Sequence, residues 1–262
     1  MNVVITGGAG IIGSTMAEKL LAAGDRVTLF DRASGGERLA ALAEQYGDRL
    51  QVAVGDVLSF GNLGEATKQC DADVIVHLAY SLGAESNANP QVATSVNMTG
   101  TVNVLEVARL LDIPRVVMAS SIAVYGNDDA YPPEQLPLAE HVPLHTAPQL
   151  PIYGGGKLYL EKVAQHYRDA YGLLVVGMRP SVVYGWGRRT GATGWMSAIV
   201  EDPVRGRATS VGFGDAMVSV VYVDDVAEQF IALLQASPDV FTDRFFFNTG
   251  GDTCRVRDVA DA

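Results

Sequence analysis

The chain has 262 residues, of which 48% are hydrophobic and 19% charged, enough to bury one α/β core and too apolar to stay disordered. Its net charge of −11 repels a phosphate backbone, and with no local Lys/Arg cluster to offset it a nucleic-acid partner is excluded. No apolar run reaches the roughly 20 residues of a bilayer crossing, so no membrane partner is expected.

The pattern of elements starts at once. Met1–Thr6 enters a strand without a basic region or cleavage site, so no signal peptide is expected. The apolar runs 3–6, 27–31, 50–54, 74–78 and 115–120 read as buried parallel strands. Segments 13–23, 37–46, 61–69 and 92–111 between them carry helical spacing. That alternation predicts an α/β doubly wound parallel sheet, a Rossmann fold. Residues 127–151, rich in Pro, Asp and Glu, read as a long rim loop. A helix over 153–171 and a strand over 174–179 follow. Beyond Pro180 the chain breaks into Gly-rich pieces, with strands at 218–223 and 245–248 flanking a helix over 225–235. Residues 256–262 look like the first turns of a further helix. The expected division is a dinucleotide-binding domain over 1–178 and a small substrate-binding lobe over 179–262, interleaved with the core. Cys70 and Cys254 are too few for a disulfide framework or a zinc site and suit a reducing, cytoplasmic setting. His77, His141, His145 and His166 have no ligand spacing, and no metal is predicted.

The first candidate site is the loop Thr6-Gly7-Gly8-Ala9-Gly10-Ile11-Ile12-Gly13. Gly7, Gly10 and Gly13, placed between a strand and a helix, allow a tight turn, backbone approach to a pyrophosphate and close helix–strand packing. The N-terminus of the helix that follows adds unpaired N–H groups and a positive dipole end, and Ile11 and Ile12 belong to the same cofactor-binding loop. Asp31 ends the second strand, 24 positions after Gly7. A carboxylate there accepts from ribose hydroxyls and repels a 2′-phosphate, favouring NAD, while the adjacent Arg32 keeps NADP open. The alternative for Asp31 is a loop cap.

The chain resembles the extended short-chain dehydrogenase/reductases, the NAD-dependent epimerase/dehydratase family. The residues that carry this are TGGAGIIG (6–13), GDV (55–57), HLAY (77–80), VNMTGTVNVLEVAR (96–109), SSIAVYG (120–126), YGGGK (153–157), RPSVVYG (179–185) and YVDDVA (222–227). The resemblance implies that Asp56 and Val57 sit at the adenine, and that Leu78, Ala79, Tyr80 and Ser120 line the cofactor path. It also implies that Asn97 supports the active-site helix and that Pro180 and Val182 lie beside the nicotinamide. Helices 92–111 and 153–171 resemble the family's dimer-forming pair, so a homodimer is expected. Asp225 is expected to cap its helix and anchor packing.

Hydride exchange with nicotinamide requires a proton to leave or join the oxygen on the same carbon. A tyrosine does this poorly at its reference pKa of about 10, and a nearby ammonium favours the phenolate. Tyr153 and Lys157, four apart, share one helix face. Lys157 can also hold nicotinamide ribose hydroxyls, and Ser121 can bond the substrate oxygen. Three departures from the family pattern matter. Gly154–Gly156 follow the tyrosine, which suggests that a ligand or partner backbone comes close. Ile122-Ala123 stand where dehydratases carry an Asp-Glu pair, which disfavours dehydration. Ala216–Ser219 holds no cation for a diphosphate, with Arg205 and Arg207 as possible substitutes. The leading expectation is an NAD(P)-dependent dehydrogenase or reductase of a small hydroxyl or carbonyl substrate, sugar-like or a polyol. The alternatives are a sugar-nucleotide 4-epimerase with tightly bound NAD, and a non-catalytic NAD-binding protein.

Overall fold

Val3, Val4 and Ile5 of strand β1 (Asn2–Thr6) are all fully buried, because alternate side chains of one strand enter two different apolar layers. Val3 and Ile5 pack with Met16 and Leu20 of helix α1 (Ile11–Ala22), whereas Val4 packs with Leu63 and Leu105 on the opposite face. A strand covered on both faces reads as a continuous hydrophobic run, the signature of a parallel sheet. The computed structural model describes residues 1–82, 88–142, 144, 152–185 and 194–261.

Seven strands form that sheet in the order β3 (Leu50–Val54), β2 (Arg26–Asp31), β1, β4 (Val74–His77), β5 (Arg115–Ala119), β6 (Leu174–Arg179) and β9 (Phe246–Asn248), each pair parallel. The chain winds outward from β1 to β3, then returns to place β4 on the other side of β1. That reversal opens a crevice at the carboxyl ends of the strands, where such sheets bind ligands. One face carries α1, α2 (Glu37–Tyr46) and α8 (Val223–Gln235). The other carries α3 (Phe60–Gln69), α5 (Gly100–Leu110) and α6 (Ile152–Tyr171). Helix α4 (Pro90–Thr94) runs into α5 through a π-helical turn, Ser95–Thr99.

The second half is more regular than its sequence suggests. Strands β7 (Val182–Tyr184), β8 (Met217–Tyr222) and β10 (Asp252–Arg255) build a second sheet in the order β10-β8-β7. Helices α7 (Gly194–Val204) and α9 (Val256–Asp261) belong to the same part of the chain. β6 runs across residue 178, β9 extends the main sheet and α8 lies in its helical layer, so part of 179–262 is interleaved with the core. Asp225 does not cap α8: Tyr222 holds the N-cap position, and Asp225 sits inside the first turn beside Asp224. There both carboxylates favour the positive helix end and raise the pKa of Lys19, whose main support is its hydrogen bond to Glu228. In the expected loop at 127–151, Tyr131 packs with Val124 and Tyr125 and its hydroxyl donates to the Tyr125 carbonyl at 2.9 Å. His145 and Pro151 lie outside the described residues.

Candidate active site

Gly7 adopts φ +71°, and a Cβ there would stand 2.6 Å from the Ala79 backbone nitrogen. Only glycine satisfies both the left-handed conformation and this approach to the chain leaving β4. Gly13 is equally constrained, since its Cβ would meet the Gly8 Cα at 2.7 Å, so α1 begins tight against the loop. Gly8, which the sequence reading passed over, belongs to the same device: a Cβ would lie 2.7 Å from Leu29 Cδ2. At Gly10 a Cβ would meet only the Gly7 carbonyl within 4 Å among the described residues. That open side fronts the start of α1, which has no side-chain cap and no acidic residue in its first turn. Free N–H groups and a positive dipole end make this cradle fit a pyrophosphate.

Asp31 takes the loop-capping role that the sequence left open for it. Its Oδ2 accepts from the Ala9 N–H at 3.0 Å and its Oδ1 from Ala33 at 3.1 Å, so it braces the glycine loop. Each oxygen retains a lone pair for a ribose hydroxyl. Arg32 follows at the surface. Asp56 Oδ1 accepts from Leu58 N at 2.9 Å and stabilises its own turn after β3. Val57 is buried in the core, against Gly100, so what it can offer an adenine is backbone. Ile11 packs near Gly185 and Val223, joining the loop to β7 and α8. Glycine loop, Asp31, Asp56, Leu78–Tyr80, Ser120–Ser121 and Pro180 thus follow the carboxyl ends of β1 to β6 in turn, along one crevice.

At the end of β5 the structure brings Lys157 against Tyr80 and Tyr153. Lys157 is 4% exposed; its Nζ donates to the Ala119 carbonyl at 2.6 Å and lies 3.7 Å from the Tyr80 ring centroid and 6.0 Å from that of Tyr153. Burial pulls the Lys157 pKa down to about 7, with the Glu161 carboxylate opposing. Ser121 caps the 3₁₀ turn Ile122–Tyr125 by accepting from the Ala123 N–H at 3.1 Å, which leaves its own proton to donate elsewhere. Pro180 is buried and its carbonyl accepts from Ile122 N at 3.2 Å, tying the strand ends of β5 and β6 together. Val182 pairs with Val220 in the second sheet. The close approach expected at Gly154–Gly156 is made, at Gly156, by this chain's own side chains: a Cβ would meet Met98 Cε at 2.8 Å and Tyr80 Oη at 3.1 Å.

Two buried networks hold this set, and the sequence showed neither as a network. Glu161 accepts from Ser120 Oγ at 2.5 Å and from Arg179 through both oxygens, at 2.9 and 2.8 Å. Arg179 also donates to the Tyr125 hydroxyl at 2.6 Å, which in turn donates to Asn248 Oδ1 at 3.0 Å. On the other side His77 bridges Thr6 Oγ1 at 2.7 Å and Thr101 Oγ1 at 2.8 Å. Thr101 gives its single proton to the Asn97 carbonyl at 2.7 Å, so His77 must donate from Nε2 and accept at Nδ1. Burial, then the charge of Lys157, drive the His77 pKa down to about 3, which keeps this tautomer neutral. Asn97 exchanges two bonds with the Ser81 backbone, at 2.7 and 3.1 Å, and so fixes the chain just after Tyr80. The signal available in sequence was chain spacing alone: Glu161 falls one turn after Lys157.

Residues 3–244 match the model of the NAD-dependent epimerase/dehydratase family. The chain belongs to that family. It is 31% identical over 257 residues to a UDP-glucose 4-epimerase of Mycolicibacterium smegmatis, a match covering 97% of this chain and 79% of that one. Among solved structures, a Thermus thermophilus UDP-glucose 4-epimerase in complex with NAD superposes with TM-score 0.80 and 27% identity, covering all of this chain and 81% of that one. A GalE-like L-threonine dehydrogenase from Cupriavidus necator superposes with TM-score 0.83 and 25% identity, again with 100% and 81% coverage. The family's Rossmann fold, short-chain dehydrogenase/reductase character and NAD dependence therefore hold for this chain. No described helix is long and apolar enough to cross a membrane, and no described His/Cys/Asp/Glu group could hold a metal ion.

Proposed function

We propose that the chain oxidises or reduces a compact hydroxyl or carbonyl substrate, sugar-like or a polyol, with Ser121, Tyr153 and Lys157 as its catalytic set. NAD would be held by the Gly7–Gly13 cradle and Asp31, and when bound it supplies the hydride acceptor or donor. Ser121 donates its free proton to the substrate oxygen. Tyr153 takes the hydroxyl proton during oxidation and returns it during reduction, while the Lys157 ammonium favours the phenolate. Lys157 keeps further N–H groups for ribose hydroxyls beyond its bond to Ala119.

The observation that supports a compact substrate is the pairing of three described arginines of the second half. Arg205 faces Glu201 at 3.7 Å, Arg207 faces Asp202 at 2.8 Å and Arg257 pairs with Asp215. β8 begins at Met217, and the run Ala216–Ser219 holds no cation. These arginines are neutralised by their own carboxylates and are poorly placed to grip a diphosphate bidentately. The second reading, a sugar-nucleotide 4-epimerase, is favoured by the names of the sequence relatives. Extensive dialysis separates the two. An epimerase keeps its cofactor between half-reactions and should retain near one NAD per chain. A dehydrogenase should lose NAD, rebind it and form NADH with a small alcohol. Retained NAD and no NADH formation across a panel of alcohols would remove the leading reading. We further infer a homodimer through the α5 and α6 faces, where Leu110, Tyr159 and Tyr171 are each more than half exposed.

A further inference from the structure

Tyr80 stands between the two members of the proposed pair. Its ring meets Tyr153 edge-on, with centroids 5.6 Å apart and planes at 87°. Its face lies 3.7 Å from the Lys157 ammonium, well inside the range of a cation–π contact. Its hydroxyl approaches α6 at Gly156, 3.1 Å from where a Cβ would stand, beside Met98 Cε at 2.8 Å. The Asn97 clamp on Ser81 holds it there.

We propose that Tyr80 is a positioning residue: its face seats the Lys157 ammonium, its edge packs on the Tyr153 ring, and Gly156 lacks a side chain in order to admit it. This rests on the reading of Tyr153 and Lys157 as the catalytic pair. The groups around the ammonium are few. Glu161 lies one turn along α6, the Ala119 carbonyl projects from β5, and Tyr153 sits at the start of α6. His77 on β4 is neutral and feels the Lys157 charge. Glu161 is shared among Ser120 and Arg179, so beside the Ala119 hydrogen bond and the Glu161 charge the Tyr80 π-face is a further contact that favours the charged lysine.

The test needs no substrate. The Lys157 titration is followed by NMR of labelled lysine in the full chain, its resonance assigned with Lys157→Met. Replacing the ring by an aliphatic group, Tyr80→Leu, should lower the midpoint by about one pH unit relative to Tyr80→Phe, which keeps the face. Equal midpoints in the two variants, or a higher one in Tyr80→Leu, overturn the seat. Gly156→Ala should lower the thermal midpoint in the native background and lower it less in Tyr80→Phe, where the obstructed hydroxyl is gone. Equal losses overturn the role given to Gly156. If both results hold but no alcohol is turned over with NAD, the functional reading fails and the positioning stands.

Discussion

Lys157 titrates near pH 7 in the folded chain and at its ordinary 10.5 once exposed. Between those values the unfolded chain binds more protons, so folding stability rises with pH across the window and the full penalty of a buried ammonium is felt below it. Lys157→Met removes that penalty. The variant should be more stable than the native chain at pH 7, by a few kcal/mol at about 1.4 per pKa unit, and the gap should close as pH approaches 10.5. Urea midpoints at two pH values check this; a gap that widens with pH contradicts the buried-amine picture. Tyr153→Phe keeps the ring against Tyr80 and removes the acid–base proton. It should lower kcat by roughly 10²–10⁴-fold with the fold intact by circular dichroism. That the two share one helix was legible in sequence, because a four-residue spacing fixes a common face wherever a helix forms, whereas their proposed role came from the resemblance of the surrounding elements. Tyr80's contact with Gly156 was not legible, because it joins segments about 75 positions apart and depends on depth in the crevice.

At the scale of the element, the succession β1, glycine loop and α1 was readable, since steric demands at Gly7 and Gly13 leave no other residue type, while the helix start at Ile11, two residues before the expected one, and the tight site at Gly8 were not. Gly7→Ala meets both a left-handed φ and a backbone atom at 2.6 Å. It should cost upwards of about 2 kcal/mol and abolish NAD binding measured by calorimetry; unchanged affinity would contradict the cradle. The second sheet was harder to read. Strand β7 has three residues and β10 has four, with no buried position in β10. Such short segments give neither a clear alternation nor a run, and the sequence predicts neither β7 nor β10. The Glu161–Arg179 pair binds α6 to β6, and both side chains are 7% exposed. Removing one partner of a buried pair leaves the other charge uncompensated. Glu161→Gln should therefore destabilise the fold by about 3–5 kcal/mol in chemical denaturation, more than Arg179→Met with Glu161→Gln combined.

For the whole molecule, the parallel sheet explains why one crevice collects residues from six strand ends. Parallel strands point their carboxyl ends the same way, and the reversal between β1 and β4 prevents helices from closing over them. The outer surface of the second helical layer has no such cover. Along it Arg109 lies over the Tyr171 ring at 5.1 Å, Tyr167 donates to Glu106 at 3.0 Å, and Tyr159 stands 56% exposed. Aromatic and arginine side chains of this kind are enriched where proteins meet, and a two-fold axis would let α5 and α6 of one copy pack on the same pair of another. Light scattering at micromolar concentration should then give twice the chain mass. Tyr159→Glu, which would place two like charges near that axis, should return it to 27.8 kDa without loss of secondary structure. A native chain already at the single mass refutes the dimer, and with it any role for a partner in holding α6 and its Tyr153 in place.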